Sequence, residues 1–209
     1  MSEPLTPFFL RHAYGLGCFP MADDDGTIGW YAPHMRALFP IEGVHVSKSL
    51  ANLIKRTRVE WVDGERSEST VPHTLVVTFD TAFEEVIRGC RRPEGNWINE
   101  EIIQAFSEVH RAGWAHSCEV WQGCELVGGT YGLALGSCFA AESMFHRVTD
   151  ASKIALWAMV EQCRRLGFTI FDAEVMNPHL KRMGAFEIPQ QEYLAMLERA
   201  EQERTGWSG

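Results

Sequence analysis

Residues 115–145 read AHSCEVWQGCELVGGTYGLALGSCFAAESMF, and the fold turns on this stretch. It divides into three extended apolar runs, AHSCEVW, LVGGTYGLAL and CFAAESMF. The separators, near Gln122–Gly123 and Gly136–Ser137, are short enough for tight turns, which predicts three antiparallel strands. Upstream, Asn99 precedes Glu100 and Glu101, a helix start, and Ile102, Ala105, Phe106 and Val109 follow helical spacing as far as Gly113. Downstream, Asp150 opens a helix that carries Ile154, Trp157, Ala158 and Glu161 on successive turns and stops at Gly167. FTIFDAEV, residues 168–175, then reads as a strand. A short helix near His179–Met183, a return strand near Ala185–Ile188 and a terminal helix follow. Runs of strands interleaved with helices in this order predict an α+β layered fold.

The first half is less patterned. Residues 4–15 read as a short helix, residues 28–39 as an extended stretch broken at Pro33, and Ser47 as the cap of a helix reaching about Arg56. Residues 73–79, HTLVVTF, are a strand by their β-branched content, and Asp80 is the expected cap of the helix that follows. The polar segment Arg91–Asn96, with Pro93 and Gly95, is the best candidate for a boundary.

Composition bounds the function. The chain has 209 residues, 45% hydrophobic and 22% charged, as in ordinary globular domains. No run approaches the roughly 18 apolar residues of a transmembrane helix. Met1–Leu10 lacks the basic region of a signal peptide, so a cytoplasmic location is expected. Cys18, Cys90, Cys118, Cys124, Cys138 and Cys163 form no C-x-x-C pair and suggest no zinc site, so they read as small buried hydrophobes. With 19 Lys+Arg against 28 Asp+Glu, a formal net charge of −9, the chain lacks the broad basic footprint of most nucleic-acid binders. Any RNA contact must be local, through Lys55, Arg56 and Arg58, through Arg91 and Arg92, or through Arg164 and Arg165. Solvated helix ends and loops are the plainer reading of each.

Chemistry enters at 168–175. Side chains alternate across a strand, which predicts Ile170, Asp172 and Glu174 on one face and Phe171, Ala173 and Val175 on the other. Two carboxylates on a mostly apolar strand are costly to bury unless paired or used; an exposed face laced with salt bridges is the competing reading. Glu142, inside CFAAESMF, adds a third carboxylate and makes an acidic pocket for a cationic substrate the stronger expectation.

Six blocks carry a resemblance: GCFPM (17–21), WYAPHMRALFP (30–40), NWINEEII (96–103), GWAHSCEVWQGCELVGGTYG (113–132), AAESMFHR with DASKIAL (140–147 and 150–156) and FDAEVMNPHLKRMGAFEIP (171–189). In this order and spacing they resemble the leucyl/phenylalanyl-tRNA–protein transferases over nearly the whole chain. The resemblance implies a GNAT-like mixed sheet in a catalytic domain over 93–209. A reduced N-terminal region over 1–92 would precede it, or the two would form one compact unit. It implies a cytoplasmic monomer that uses no cofactor or metal. It implies transfer of Leu, Phe or Met from aminoacyl-tRNA, held by its 3′ end, to proteins with N-terminal Arg or Lys, marking them for degradation. No Q-x-x-G-x-G pyrophosphate loop argues for acetyl-CoA.

The resemblance assigns Trp97 to stack on the terminal adenosine, with Met21 standing where tryptophan is usual. It assigns Thr130, Phe139, Ala141, Met144, Leu156, Met159 and Phe171 to the pocket for the transferred side chain, and Glu142, Asp172 and Glu174 to the catalytic centre. Core packing is the bland reading of the apolar members, and ligand pockets are themselves mostly apolar. Ala141 replaces a usual glycine, Glu174 a usual glutamine and Gln190 a usual arginine. In the reaction implied, Asp172 is the base or its driver, Asp172 and Glu174 share a raised pKa, and Glu142 positions the substrate's positive charge. A GNAT-type acyltransferase with another donor or acceptor, or a non-catalytic binder of N-termini, are the alternatives.

Overall fold

The computed structural model describes residues 5–23, 25–66, 74–92 and 97–207. Its elements begin with α1 (Pro7–Gly15), β1 (Phe19–Ala22), β2 (Ile28–Tyr31), β3 (Met35–Phe39), α2 (Lys48–Ile54), β4 (Thr57–Val59), β5 (Leu75–Phe79) and α3 (Phe83–Gly89). They continue with α4 (Glu100–Arg111), β6 (Ala115–Gln122), β7 (Glu125–Leu135), β8 (Cys138–His146), α5 (Ala151–Arg165), β9 (Ile170–Asp172), α6 (Pro178–Arg182), β10 (Phe186–Pro189) and α7 (Gln190–Ala200).

The helix starts follow local chemistry. Backbone amides donate to side-chain oxygens of the residues just before α1, α2, α4 and α6: Phe9 N to Thr6, Leu50 N to Ser47, Ile102 N to Asn99 and Leu180 N to Asn177. Such caps satisfy amides that have no partner inside the helix. Asp80 does not cap α3. Its backbone is left-handed, with φ 57°, and its carboxylate instead accepts from Ser117 N and bonds His116 Nδ1, both at 2.8 Å.

Among the described residues, eight strands form one mixed sheet in the order β10-β3-β9-β8-β7-β6-β5-β4, and β1 and β2 form a separate antiparallel hairpin. The expected β6–β7–β8 meander is its centre. Helix α5 then crosses over to bring β9 parallel to β8. The architecture is mixed α/β around a large mixed sheet. The sheet is not confined to the second half: β3 inserts between β9 and β10, and β5 pairs with β6. Long-range pairing, not local pattern, recruits these strands, and β4 is too short to be seen in sequence. His73 and Pro93–Asn96, hence most of the expected boundary, lie outside the described residues.

Helices cover both faces. Leu10, Val86, Phe106 and Leu197 bring α1, α3, α4 and α7 to one face, and Leu50, Ile154 and Leu180 bring α2, α5 and α6 to the other. Four of the cysteines are buried as small apolar groups, whereas Cys18 is half-buried and Cys124 exposed.

Candidate active site

Strands β7 and β8 pair regularly until the register slips: Tyr131 faces Ser143, but Gly132 faces Ala141. Glu142 is the extra residue. A bulge kinks its strand and re-aims a side chain, and here it lets a carboxylate leave an otherwise apolar strand. Gly132 makes this possible, because a Cβ there would lie 2.3 Å from Ala140 O.

The second carboxylate is re-aimed differently. The predicted strand over 168–175 ends early: β9 stops at Asp172, and Glu174 is left-handed at φ 60°. Simple alternation therefore does not hold. Asp172 is fully buried and does not face solvent or cleft. Arg36, also fully buried, holds it in a fork, with Nε at 2.9 Å from Oδ1 and Nη2 at 2.5 Å from Oδ2. Tyr193 OH donates to Oδ2 and Glu174 N to Oδ1, both at 2.8 Å. Asp172 thus fixes the left-handed turn that presents Glu174. Arg36 Nη1 donates to Gly17 O at 3.1 Å, and the guanidinium lies over the Phe19 and Tyr193 rings. Burial alone would loosen the Arg36 proton, but the Asp172 carboxylate more than reverses this.

Glu142 and Glu174 meet in a cleft of about 350 Å³. Burial, first, pushes Glu142 up to about 8, against the Tyr14 hydroxyl, which donates to its Oε1, and against Arg36. Burial, and then the charge of Glu142, holds Glu174 well above the usual carboxylate range. With both ionised, Glu142 Oε2 and Glu174 Oε1 would be buried without a donor among the described residues. The carboxyls held above the usual range in this cleft are Glu142 and Glu174.

The rest of the cleft is mostly apolar. Met21, Trp97, Thr130, Ala141, Met144 and Leu156, which the resemblance assigns to substrate, line it. Phe19, Phe39, Val175 and Leu180 add wall that sequence reading did not assign, and Arg92 and Asn177 add polar groups. Phe139, Met159 and Phe171 do not reach the cleft. They are buried in the core behind it. The residues missed were Tyr14, Arg36 and Tyr193. Arg36 sits inside the quoted WYAPHMRALFP block, and an arginine amid apolar residues was the available signal.

Residues 38–198 match the family model described as leucyl/phenylalanyl-tRNA protein transferase, and residues 3–34 match the model of its N-terminal domain. The chain belongs to the leucyl/phenylalanyl-tRNA–protein transferase family. Among relatives carrying that name, one from Herpetosiphon aurantiacus is 42% identical over 201 residues, 96% of each chain. One from Rubrobacter xylanophilus is 44% identical over 197 residues, 94% of this chain and 95% of its own. One from Chlorobaculum tepidum is 42% identical over 196 residues, 91% of this chain and 93% of its own. Family membership makes it an aminoacyltransferase that moves an aminoacyl group from tRNA to a protein N-terminus.

The departures from the usual transferase residues fall in two places. Met21, Ala141 and Glu174 line the cleft. Gln190 does not; its Nε2 donates to Gly17 O at 3.2 Å, the same carbonyl that Arg36 uses.

Proposed function

We propose that the cleft takes an apolar aminoacyl group, Leu, Phe or Met, esterified to the 3′ adenosine of tRNA, and passes it to the α-amine of a protein beginning with Arg or Lys. The carrying observation is a mostly apolar cleft that ends in two glutamates, Glu142 and Glu174. The adenine stacks on Trp97, with the Met21 thioether as its soft neighbour. The hydrogen bond from Ala22 N to Trp97 O at 3.0 Å supports this pairing, since it ties the two segments together. The side chain lies against Thr130, Ala141, Met144 and Leu156. Phe139, Met159 and Phe171 shape that wall from behind.

The acceptor amine, with a pKa of about 8, arrives protonated and is drawn to the negative charge of the glutamate pair. Glu174 or Glu142 takes one proton from the ammonium, which frees the nitrogen lone pair to attack the ester carbonyl. As the ester C–O bond breaks, the attacking nitrogen gives up a second proton, which passes to the departing ribose oxygen. Asp172 is a positioning residue in this scheme: its hydrogen bonds to Arg36, Tyr193 and Glu174 N hold the Glu174 turn. The ester is already activated, so orientation supplies much of the rate. No metal or cofactor enters.

The β8–α5–β9 crossover beside an antiparallel meander supports a GNAT-like core for the catalytic part over 93–209, with 1–92 as the N-terminal part. Among the described residues no helix is long and apolar enough to cross a membrane. A monomer in the cytoplasm, where charged tRNA is made, completes the proposal, and the modified protein would be marked for degradation. The test is transfer of labelled Leu, Phe and Met from tRNA to peptides that differ only in residue one. Transfer to Arg- and Lys-peptides is expected; preference for Asp or Glu, or no transfer, overturns the assignment.

A further inference from the structure

The β1–β2 hairpin has two faces, and its register sorts them. Phe19 pairs with Tyr31, Met21 with Gly29 and Ala22 with Ile28. Residues directly opposite across an antiparallel pair share a face, and neighbours along a strand alternate. Phe19, Met21, Gly29 and Tyr31 therefore share one face, and Phe19 and Met21 wall the cleft. Ile28 and Trp30 take the other face, where they line a separate cavity with Phe9 and Asp25. The Phe19 and Tyr31 rings stack, with centroids 6.4 Å apart and 25° between planes, as a shared face requires. The Tyr31 ring leans over Gly29, where a Cβ would lie 3.0 Å from its Cε2 and 3.2 Å from its hydroxyl. The bare Gly29 thus lets the ring lie beside Met21.

Tyr31 stands beyond the Phe19 wall and is 39% exposed. Its hydroxyl donates to Asp23 Oδ1 at 3.0 Å, which fixes the ring. Asp23 is exposed, and its backbone is tied across the turn: Asp23 N donates to Thr27 O and Gly26 N to Asp23 O, both at 2.8 Å. Among the described residues no cation pairs with this carboxylate. The ring is linked inward as well. The Arg36 guanidinium lies 5.1 Å from the Phe19 centroid, and its Nη2 is 3.9 Å from Glu174 Oε1. Phe19 therefore joins the exposed ring and its carboxylate to the glutamate end of the cleft. An aromatic face beside a carboxylate suits an ammonium or a guanidinium.

We propose that Tyr31 and Asp23 hold the cationic side chain of the acceptor's N-terminal Arg or Lys. The inference rests on the acceptor reading above and gives it a specificity site, since the two glutamates are engaged by the α-amine. The side chain extends over Phe19, lays its head on the open face of Tyr31 and meets Asp23. A long stem can cover the rings while its charge stays at the solvent edge. An acidic side chain would be repelled. Charge also favours the peptide over the RNA strand behind the terminal adenosine. Asp23 and Asp25 make the turn acidic, and it would repel phosphates.

The experiment measures binding first, so that it does not depend on turnover. Calorimetry compares two peptides that differ only in residue one, Arg or its uncharged isostere citrulline. The unmodified protein should prefer Arg by about tenfold, the scale of a charge held on a ring face and by a carboxylate. In D23N and in Y31L the preference should fall to about threefold or less, because each removes one half of the site. D25N removes the same charge from the hairpin's other face and should leave the preference unchanged. In the transfer assay, KM for the Arg-peptide should rise in D23N, while kcat and KM for Leu-tRNA hold. Equal Arg preference in D23N, Y31L and the unmodified protein overturns the proposal and leaves the acceptor reading standing. A rise confined to KM for Leu-tRNA assigns the ring to RNA and also overturns it. If the unmodified protein shows no preference for Arg, the acceptor reading falls and the site falls with it. Should Y31L melt lower, Y31F and D23N decide: Y31F keeps the ring face and should keep part of the preference that D23N loses.

Discussion

A carboxyl buried beside a second carboxyl holds its proton to higher pH in the folded chain than in the unfolded one. Glu142 is pushed up from 4.5 to about 8, and Glu174 is raised as well. The folded state therefore binds more protons than the unfolded state between those values, and stability must fall as pH rises. The contribution is fully present below the unfolded pKa near 4.5 and is lost as pH passes about 8. Glu174→Gln removes one acid and offers an amide donor to Glu142. It should raise the melting temperature at pH 8 by several degrees, since 1 kcal/mol moves Tm by about 2–4 °C in a chain of this size. The gain should vanish toward pH 5, and superimposable Tm–pH curves would remove the raised pKa of the pair. Catalysis should survive, because Glu142 remains to take the amine's proton, with the pH–rate profile moved to lower pH. Ala141 offers a second residue-scale test. A wall methyl is worth roughly 1–3 kcal/mol in discrimination, so Ala141→Gly should raise Phe transfer relative to Leu about tenfold in kcat/KM; an unchanged ratio would take Ala141 off the donor pocket. The three carboxylates were legible in the sequence because acids stand out in apolar strands. Their division of labour was not, since it depends on Arg36, which lies 136 residues before Asp172 in the chain.

At the scale of elements, local signals carried some boundaries and failed at others. Asn99 and Ser47 were readable as caps because capping involves only the next three residues. The β6–β7–β8 meander was readable because tight turns join neighbours in sequence. The sheet's outer strands were not, because β3 and β5 pair with segments far along the chain. Nor was the end of β9, where the alternation Asp172–Ala173–Glu174 reads as strand while the backbone turns left-handed at Glu174. The β7–β8 bulge was equally hidden, although GGTYG offered glycines where a bulge needs one. Gly132 is the informative position. Its missing Cβ would meet backbone at 2.3 Å and the Phe139 ring at 2.7 Å, and neither side of the bulge can move without shifting Glu142. Gly132→Ala should therefore destabilise the fold by about 1–3 kcal/mol, as overpacking does, and cut kcat/KM by more than the stability loss explains. A variant that melts lower but keeps full kcat/KM below its transition would separate the bulge from catalysis.

At the scale of the whole molecule, charge sets how the donor is held. The sequence's net charge of −9 argued against a broad RNA surface, and the ion pairs of Arg58, Arg91, Arg164 and Arg165 neutralise most of the basic candidates. What remains is Trp97 and Met21 in the cleft. A protein that contacts six to ten phosphates shows a steep loss of affinity with salt, because each contact releases counterion. A chain of this charge balance can neutralise only a few. The slope of log K against log salt for intact aminoacyl-tRNA should lie between about −1 and −3, at about 0.7 per single-strand phosphate. Trimming the tRNA to its acceptor stem should cost little affinity for the same reason. Trp97→Ala should cost more, since base stacking is worth about 1–3 kcal/mol and Met21 gives no second ring. That loss should fall on KM for the donor and leave peptide binding unchanged. A slope near −6, or a hundredfold loss on trimming, would require a second basic surface on the tRNA body's path, and Lys48, Lys55 and Arg56 would be the first residues to replace.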